Sequence, residues 1–183
     1  MKKAIIASIA SVIALTMGAG VAHAANNANA GTIDLNFSGT VSTTTCALEP
    51  EVGGKNGIMG IQLGQTDKNT KGADIEVVFK PTAAAANACS GTSNFVMQWN
   101  GVGAAFDSHG LKASGGAATD SYVLVKATNA QTNNNQQVNA DGFQYEFAKD
   151  KVTGEGMKYT MNLMGGAEVG DMTAAAQVKH WYK

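Results

Sequence analysis

Short stretches in which apolar and polar residues alternate recur along most of this chain. Such alternation puts one set of side chains on each face of a β-strand, and the gaps between the stretches are rich in Gly, Asn and Asp. Several short strands separated by turn-forming residues are typical of a β-sandwich. The run Ala83–Ala86 fits a helical turn or a loop equally well. We predict strands over Ile58–Leu63, Ala73–Lys80, Phe95–Asn100, Tyr122–Thr128, Phe143–Ala148, Met157–Met164 and Thr173–Tyr182.

The last fourteen residues, Gly170 to Lys183, show the alternation most fully. The odd positions are mostly polar, whereas the even positions are mostly apolar. The chain is therefore expected to end on a strand, and a strand with a free end is exposed to pairing with another chain. This pattern favours a protein whose ends are used for assembly. The even positions are Gly170, Met172, Ala174, Ala176, Val178, His180 and Tyr182.

A second alternating segment, Gly31–Val41, precedes the first cysteine. Its apolar residues share one face, with Gly39 between the last two of them, and polar residues occupy the other. The pattern fits two structures equally well. The segment is either the first strand of its own sandwich or an arm that completes a neighbour's sheet by strand addition. The apolar positions are Ile33, Leu35, Phe37 and Val41.

The first 24 residues have the features of a secretory signal peptide. Lys2 and Lys3 precede a short apolar run, and Ala22-His23-Ala24 supplies small residues two apart, so cleavage is expected after Ala24. A membrane anchor is the alternative, but the apolar run is shorter than the roughly 20 residues needed to span a bilayer. We therefore expect an exported protein.

The exported part contains two cysteines, Cys46 and Cys89. In an oxidising compartment an isolated pair is most simply one disulfide. Two free thiols and half of a metal site are the alternatives, although a zinc site would need further Cys or His at short spacing.

Composition argues against several functions. The formal net charge is −1 and the chain has no arginine, so we expect no nucleic-acid partner. No catalytic, metal-binding or cofactor-binding constellation is recognisable, and we predict that the protein is not an enzyme.

We assign Trp99 to the core rather than to a sugar platform. Trp181 falls on the polar face of the tail, where it could cover a sheet edge or stand in a subunit contact.

These features together resemble the chaperone–usher fimbrial subunits, in particular the major pilins of the type 1-like group. The residues that carry the resemblance are Gly31-Thr32-Ile33 and Asn36–Val41, the two cysteines with Ile61–Gly64 between them, and the tail with Gly170 and penultimate Tyr182. The tail departs from the family at Lys179, His180 and Trp181, where the family is more uniformly small or apolar. The resemblance implies an all-β fold, an incomplete immunoglobulin-like β-sandwich completed by donor-strand exchange.

The resemblance also implies the domains and the partners. Residues 25–39 would form the donor-strand arm and residues 40–183 the pilin domain. The partners would be other copies of the chain, a periplasmic chaperone and an outer-membrane usher, with export through the periplasm to a surface fimbria. The donor strand would use Ile33, Leu35, Phe37, Gly39 and Val41. The chaperone would bind Gly170, Met172, Ala174, Ala176, Val178, His180, Tyr182 and Lys183.

In that tail, Tyr182 would be the anchor, and basic chaperone groups would hold the carboxylate of Lys183. The expected function is that of a structural fimbrial subunit serving cell adhesion. Two alternatives remain. One is a major pilin that itself binds a host glycan, and the other is a secreted enzyme or a sandwich protein that does not polymerise.

Overall fold

The computed structural model describes residues 46–91 and 93–183. This part of the chain is almost entirely β-structure. Its elements, in chain order, are β1 (Leu48–Val52), β2 (Lys55–Asn56), β3 (Ile75–Pro81), β4 (Phe95–Val102), β5 (Phe106–Asp107), β6 (Gly110–Lys112), β7 (Gly115–Gly116), β8 (Tyr122–Ala127), β9 (Phe143–Phe147), α1 (Lys149–Thr153), β10 (Met157–Met164), β11 (Met172–Thr173) and β12 (Ala175–Tyr182).

The strands form two main sheets and one small pair. The large sheet has the order β2-β1-β3-β10-β8-β6-β5, and the three-stranded sheet has the order β12-β4-β9. All neighbours in both sheets are antiparallel. The strands β7 and β11 pair with each other separately. Antiparallel strands can bury one face and leave the other in water, which is what the alternating sequence requires.

The two main sheets pack face to face around an aromatic core. Tyr159 of β10, in the large sheet, lies with its ring centroid 5.2 Å from that of Trp99 in β4 and 5.4 Å from that of Tyr145 in β9. All three side chains are buried, and each ring pair meets edge to face, the geometry that aromatic pairs favour. The fold prediction, an incomplete immunoglobulin-like β-sandwich, is confirmed, and so is the core position of Trp99.

The first hairpin is an element that the alternation did not predict. Strands β1 and β2 are joined by Gly53 and Gly54, which have φ values of +57° and +78°. Positive φ at both central residues is the requirement of a type I′ turn, whose twist matches that of the paired strands. β1 is only five residues long and has Pro50 at its centre, a residue that is rare inside strands, and this hid the strand. The short helix α1 was also not predicted.

One strand prediction, Ile58–Leu63, is wrong. These residues are in neither a helix nor a strand of the described structure. The alternation itself persists, because Ile61 and Leu63 are half-buried and pack against the core, whereas Gln62 between them is exposed. A strand also needs a ladder of backbone hydrogen bonds, and between described residues this segment has one such bond, from the N–H of Ile58 to the carbonyl of Pro50 at 3.2 Å.

The tail was predicted as one strand over Thr173–Tyr182, but it forms two. Residues Met172 and Thr173 pair with β7, and after Ala174 the chain continues as β12, which pairs with β4. The tail therefore reaches across from the small pair to the edge of the three-stranded sheet.

Cys46 and Cys89 form a disulfide, which joins the chain two residues before β1 to the turn that precedes β4. The remaining domain bounds, with residues 1–24 as signal peptide, 25–39 as arm and 40–183 as pilin domain, stay predictions. Within the part of the chain described, no helix is long and apolar enough to cross a membrane.

Candidate functional site

An apolar groove runs beside β12 and is the candidate functional site. Its volume is about 410 Å³, and it reaches the core between the two sheets. A groove with this lining favours an apolar occupant, because filling it removes hydrocarbon surface from water. The lining residues are Leu48, Pro50, Ile58, Met59, Ile61, Leu63, Phe79, Met97, Trp99, Leu111, Val123, Val125, Met161, Ala174, Ala175, Ala176, Val178 and His180.

One wall of the groove is β12, an edge strand. It pairs with β4 over its full length, from Ala175 opposite Val102 to Tyr182 opposite Phe95. No strand of the described chain pairs with its other edge, so a row of backbone N–H and C=O groups is available there. Such an edge can accept a further strand.

The apolar face of β12 is incompletely covered. None of its eight residues is buried, whereas its neighbour β4 has four buried residues in eight. Val178 and Tyr182 are half-buried against the core, and Ala176 and His180, on the same face, are exposed. The apolar side chains of β12 thus share one face, as in a buried strand, but remain accessible to solvent. Exposed apolar surface of this kind is typical of an interaction site.

The opposite wall of the groove is formed by the segment from Ile58 to Leu63. Between described residues, no backbone hydrogen bond involves residues 59–66. Among the described residues, the groove therefore lies between two backbone segments whose polar groups lack a backbone partner, and such groups can pair with an incoming strand.

A second cavity, of about 880 Å³, continues the groove towards the start of the tail. The two cavities share Met59, Ile61, Leu63, Val123 and Ala174. This extension is more polar, since Asp67, Lys68, Glu168 and Asp171 contribute to its lining together with the predicted tail residues Gly170 and Met172. An occupant that is apolar along β12 would therefore meet polar groups at this end.

The other end of the groove is fixed to the disulfide. The Nε2 atom of His180 donates a hydrogen bond to the carbonyl oxygen of Cys46, at 2.7 Å. Since a carbonyl only accepts, Nε2 carries a proton. The hydroxyl of Tyr182 donates to the carbonyl oxygen of Cys89. Both disulfide residues thus hold the last residues of β12.

The terminal residue is also held. The backbone N–H of Lys183 donates to the carbonyl of Asn94, at 2.9 Å, and its Nζ lies 3.1 Å from Oε2 of Glu146. Hydrogen bonds from Asn94 and then from Lys183 lower the pKa of Glu146. This carboxylate is therefore ionised and internally paired at neutral pH.

The structure brings together most of the tail residues predicted to bind a chaperone. Ala174, Ala176, Val178 and His180 line the groove, Gly170 and Met172 line its extension, and Tyr182 and Lys183 lie beyond its far end. The predicted donor-strand residues Ile33, Leu35, Phe37, Gly39 and Val41 lie outside the described residues. In the described chain, no cluster of His, Cys, Asp or Glu is arranged to hold a metal ion.

Sequence reasoning missed most of the groove's floor and its second wall. Leu48, Phe79, Leu111 and Met161 come from strands distant in sequence, and only the sheet order places them side by side. The exposed Met59 gave a weak signal, because it follows Ile58 directly and so places a second large apolar residue out of step with the alternation.

Comparison with known proteins identifies the class. The chain is 35% identical to the F107 fimbrial protein of Escherichia coli over 174 residues, which cover 94% of this chain and 96% of that protein. It is 34% identical to the K99 fimbrial protein of Escherichia coli over 122 residues, covering 65% and 64%. No protein-family model matches the chain.

Among solved structures, the P pilus rod subunit PapA is similar, with a TM-score of 0.48 and 19% identity, covering 82% of this chain and 99% of that one. On the strength of the sequence relatives, the chain belongs to the family of fimbrial proteins. It is a structural subunit that polymerises with other subunits into a surface fimbria, and it is not an enzyme.

Proposed function

We propose that the subunits polymerise by donor-strand exchange, in which Ile33–Val41 of one subunit fills the groove of another. The observation that carries this proposal is an edge of β12 with which no described strand pairs, beside an apolar groove. The occupant of this site needs a backbone that can pair with a strand edge and apolar side chains on one face. An arm with apolar residues at every second position has both. Its backbone pairs with the free edges, and its side chains at Ile33, Leu35 and Phe37 enter the groove.

The energetics favour this occupant. Burial of each large apolar side chain of the arm contributes about 1.5–3 kcal/mol relative to exposure. Gly39 leaves space where the arm's backbone comes close to the groove wall. Because each subunit gives an arm and receives another, the contact is heterologous and continues as an open filament.

The groove also needs an occupant before polymerisation, because a free apolar edge promotes aggregation. We infer that a periplasmic chaperone pairs with β12 during export and delivers the subunit to an outer-membrane usher. The tail residues from Gly170 to Lys183 would form its binding strand, with Tyr182 as the anchor and the Lys183 carboxylate bound by basic groups. The assembled fibre then serves cell adhesion.

Substitutions in the arm test the exchange. Leu35→Asp and Phe37→Asp place an unpaired charge in the apolar groove, which is costly. We expect these subunits to fold and to bind the chaperone, because the arm is not part of their own core, and we expect electron micrographs to show no fibres.

Asn36→Asp is the matched control, since it adds the same charge on the polar face of the arm. Fibres should form normally with this variant. Long fibres from Leu35→Asp and Phe37→Asp would refute the exchange. A subunit that lacks residues 25–38 and is unfolded even in its chaperone complex would also refute it, because the arm would then be an ordinary first strand.

A further inference from the structure

The chain contains two Asn-Gly pairs, Asn56-Gly57 and Asn100-Gly101. Asparagine is a chemically labile residue. It is most labile before glycine, because glycine has no side chain to shield its backbone nitrogen or to restrict its backbone. The two pairs have the same local sequence but very different surroundings, so we expect their reactivities to differ.

Asn56-Gly57 lies at the end of the first hairpin. Asn56 is the last residue of β2, a two-residue strand at the edge of the large sheet, and both Asn56 and Gly57 are exposed. The carbonyl of Pro50 accepts a hydrogen bond from the N–H of Ile58, at 3.2 Å, so the ladder leaves its regular register at Gly57. Gly57 itself has a φ of +73°. The end of a short edge strand opens at little cost, and opening allows the side chain of Asn56 and the nitrogen of Gly57 to approach each other.

Asn100-Gly101 is enclosed by comparison. Asn100 lies inside β4, opposite Gln177 of β12, and its Nδ2 is shielded from solvent. The N–H of Gly101 donates a hydrogen bond to Oδ1 of Asp141, at 2.8 Å, which holds the nitrogen in place. The chain is so closely packed here that a Cβ at Gly101 would collide with the carbonyl oxygen of Ala104. Reaction at this pair therefore requires the central strand of the sheet to open, which costs much more than fraying of an edge.

We propose that Asn56-Gly57 is a site of spontaneous covalent modification, at which Asn56 is converted to isoaspartate and aspartate. The backbone nitrogen of Gly57 attacks Cγ of Asn56, and the new C–N bond closes a five-membered succinimide ring. The side-chain amide nitrogen leaves as ammonia and takes up the proton of the Gly57 N–H. One water molecule then opens the ring, and the carbonyl that it attacks decides between aspartate and isoaspartate. This reaction is independent of the mechanism by which the subunits polymerise.

The modification changes the hairpin at the rim of the groove. Asn56 is directly opposite Glu51, so a carboxylate at position 56 faces a second carboxylate, and like charges at opposed positions are destabilising. Lys80, with its Nζ 2.8 Å from Oε2 of Glu51, neutralises only one of the two charges. Isoaspartate also adds one atom to the backbone, which disturbs the pairing of β2. Because the neighbouring Pro50 and Ile58 line the groove, a modified subunit holds this rim less firmly, and the effect grows as a fibre ages.

Mass spectrometry of purified fibres tests the proposal directly. Fibres are kept in neutral buffer at physiological temperature, and samples taken over several weeks are digested and analysed at both Asn-Gly pairs. Isoaspartate is counted by enzymatic methylation, which aspartate does not undergo. We expect Asn56 to react at least about tenfold faster than Asn100, the equivalent of about 1.4 kcal/mol in the barrier. In the reduced chain, denatured in urea, the two rates should be similar, which isolates the contribution of the fold.

Asn56→Gln blocks the site, because glutamine would have to close a larger and less favourable ring. Fibres of this variant should form normally and should accumulate little isoaspartate. Asn87→Gln is the matched control, because Asn87 is also exposed but precedes an alanine, and it should accumulate isoaspartate like the wild type. Hydrogen exchange measures the consequence, since aged wild-type fibres should exchange faster in β1 and β2 than aged Asn56→Gln fibres.

Three results would overturn the proposal. Equal rates at Asn56 and Asn100 in fibres would show that the hairpin does not promote the reaction. If Asn56 stayed intact in fibres but reacted in the denatured chain, the folded hairpin would be protecting it. Isoaspartate at the wild-type yield in Asn56→Gln fibres would place the modification at another residue.

Discussion

The hydroxyl of Tyr182 donates a hydrogen bond to the backbone carbonyl of Cys89, one half of the disulfide. The ring of Tyr182 also meets that of Phe95 edge to face, with 4.9 Å between centroids. The penultimate residue is therefore fixed within its own subunit. Its position sets the end of β12 and, with it, the end of the groove.

We expect Tyr182→Phe to lower the free energy of unfolding by about 0.5–1.5 kcal/mol, because the carbonyl of Cys89 loses its donor while the ring packing remains. Urea denaturation of the purified subunit measures the change. Tyr122→Phe, on β8 beside His109, is the control and should have a smaller effect. Equal effects for the two variants would contradict the structural role of the Tyr182 hydroxyl.

Gly91 should be intolerant of a side chain, since a Cβ placed there would lie 2.4 Å from the ring of Tyr182. We expect Gly91→Ala to displace the ring and to destabilise the subunit by about 1–3 kcal/mol. At Gly60, by contrast, a Cβ would meet nothing within 4 Å. Gly60→Ala is the control in thermal unfolding, and a Gly91 variant as stable as this control would show that Tyr182 is loosely held.

Substitutions at Val178 and at its neighbour Gln177 test the two faces of β12 separately. We expect Val178→Asp to weaken the binding of a Gly31–Val41 peptide to arm-deleted subunits by more than about tenfold, because a charge then stands in the apolar groove. Gln177→Asp adds the same charge one residue away, on the opposite face, and should preserve binding. Calorimetry gives both affinities, and equal values would argue that the peptide binds outside the groove.

Glu155 should contribute to stability in a pH-dependent way. Hydrogen bonds from Lys151 and then Lys158 lower the pKa of Glu155 from 4.5 to about 2. A lowered pKa in the folded state means that the stabilisation is present above the unfolded value and is lost as pH falls through the folded value. The difference in stability between wild type and Glu155→Gln should therefore be constant at neutral pH and should shrink between pH 4.5 and about pH 2.

Salt provides the control for this prediction. The side chain of Glu155 is 41% exposed, so about 1 M NaCl should screen its two ion pairs and reduce the difference at neutral pH. A difference that depends on neither pH nor salt would mean that the Glu155→Gln substitution acts through packing instead.

The alternation of the sequence predicted strands well where both edges find partners. The bounds of Met157–Met164 agree with the prediction, because this strand lies between β3 and β8 and its alternating apolar positions face the core. The same pattern failed over Ile58–Leu63. There the alternation reflects only which side chains are buried. A strand is defined by backbone hydrogen bonds to a neighbouring strand, and the local sequence does not show whether such a neighbour exists.

The groove was less predictable than the tail that borders it. Residues of β12 were identified because their alternation is local, and Val178 and His180 line the groove as the pattern required. The floor residues Phe79 and Met161 belong to β3 and β10, which the sheet order brings together.

The disulfide has a mechanical consequence for a fibre under tension. A pull on the residues that precede Cys46 enters the described domain at the disulfide, which closes the loop of chain up to Cys89. That loop is covalently protected from being drawn out. The force passes from the disulfide along the covalent chain into β1 and β4, and also through the hydrogen bonds of His180 and Tyr182 into β12, the strand that borders the groove. Tension would thus reach the groove by a short path that leaves the closed loop folded.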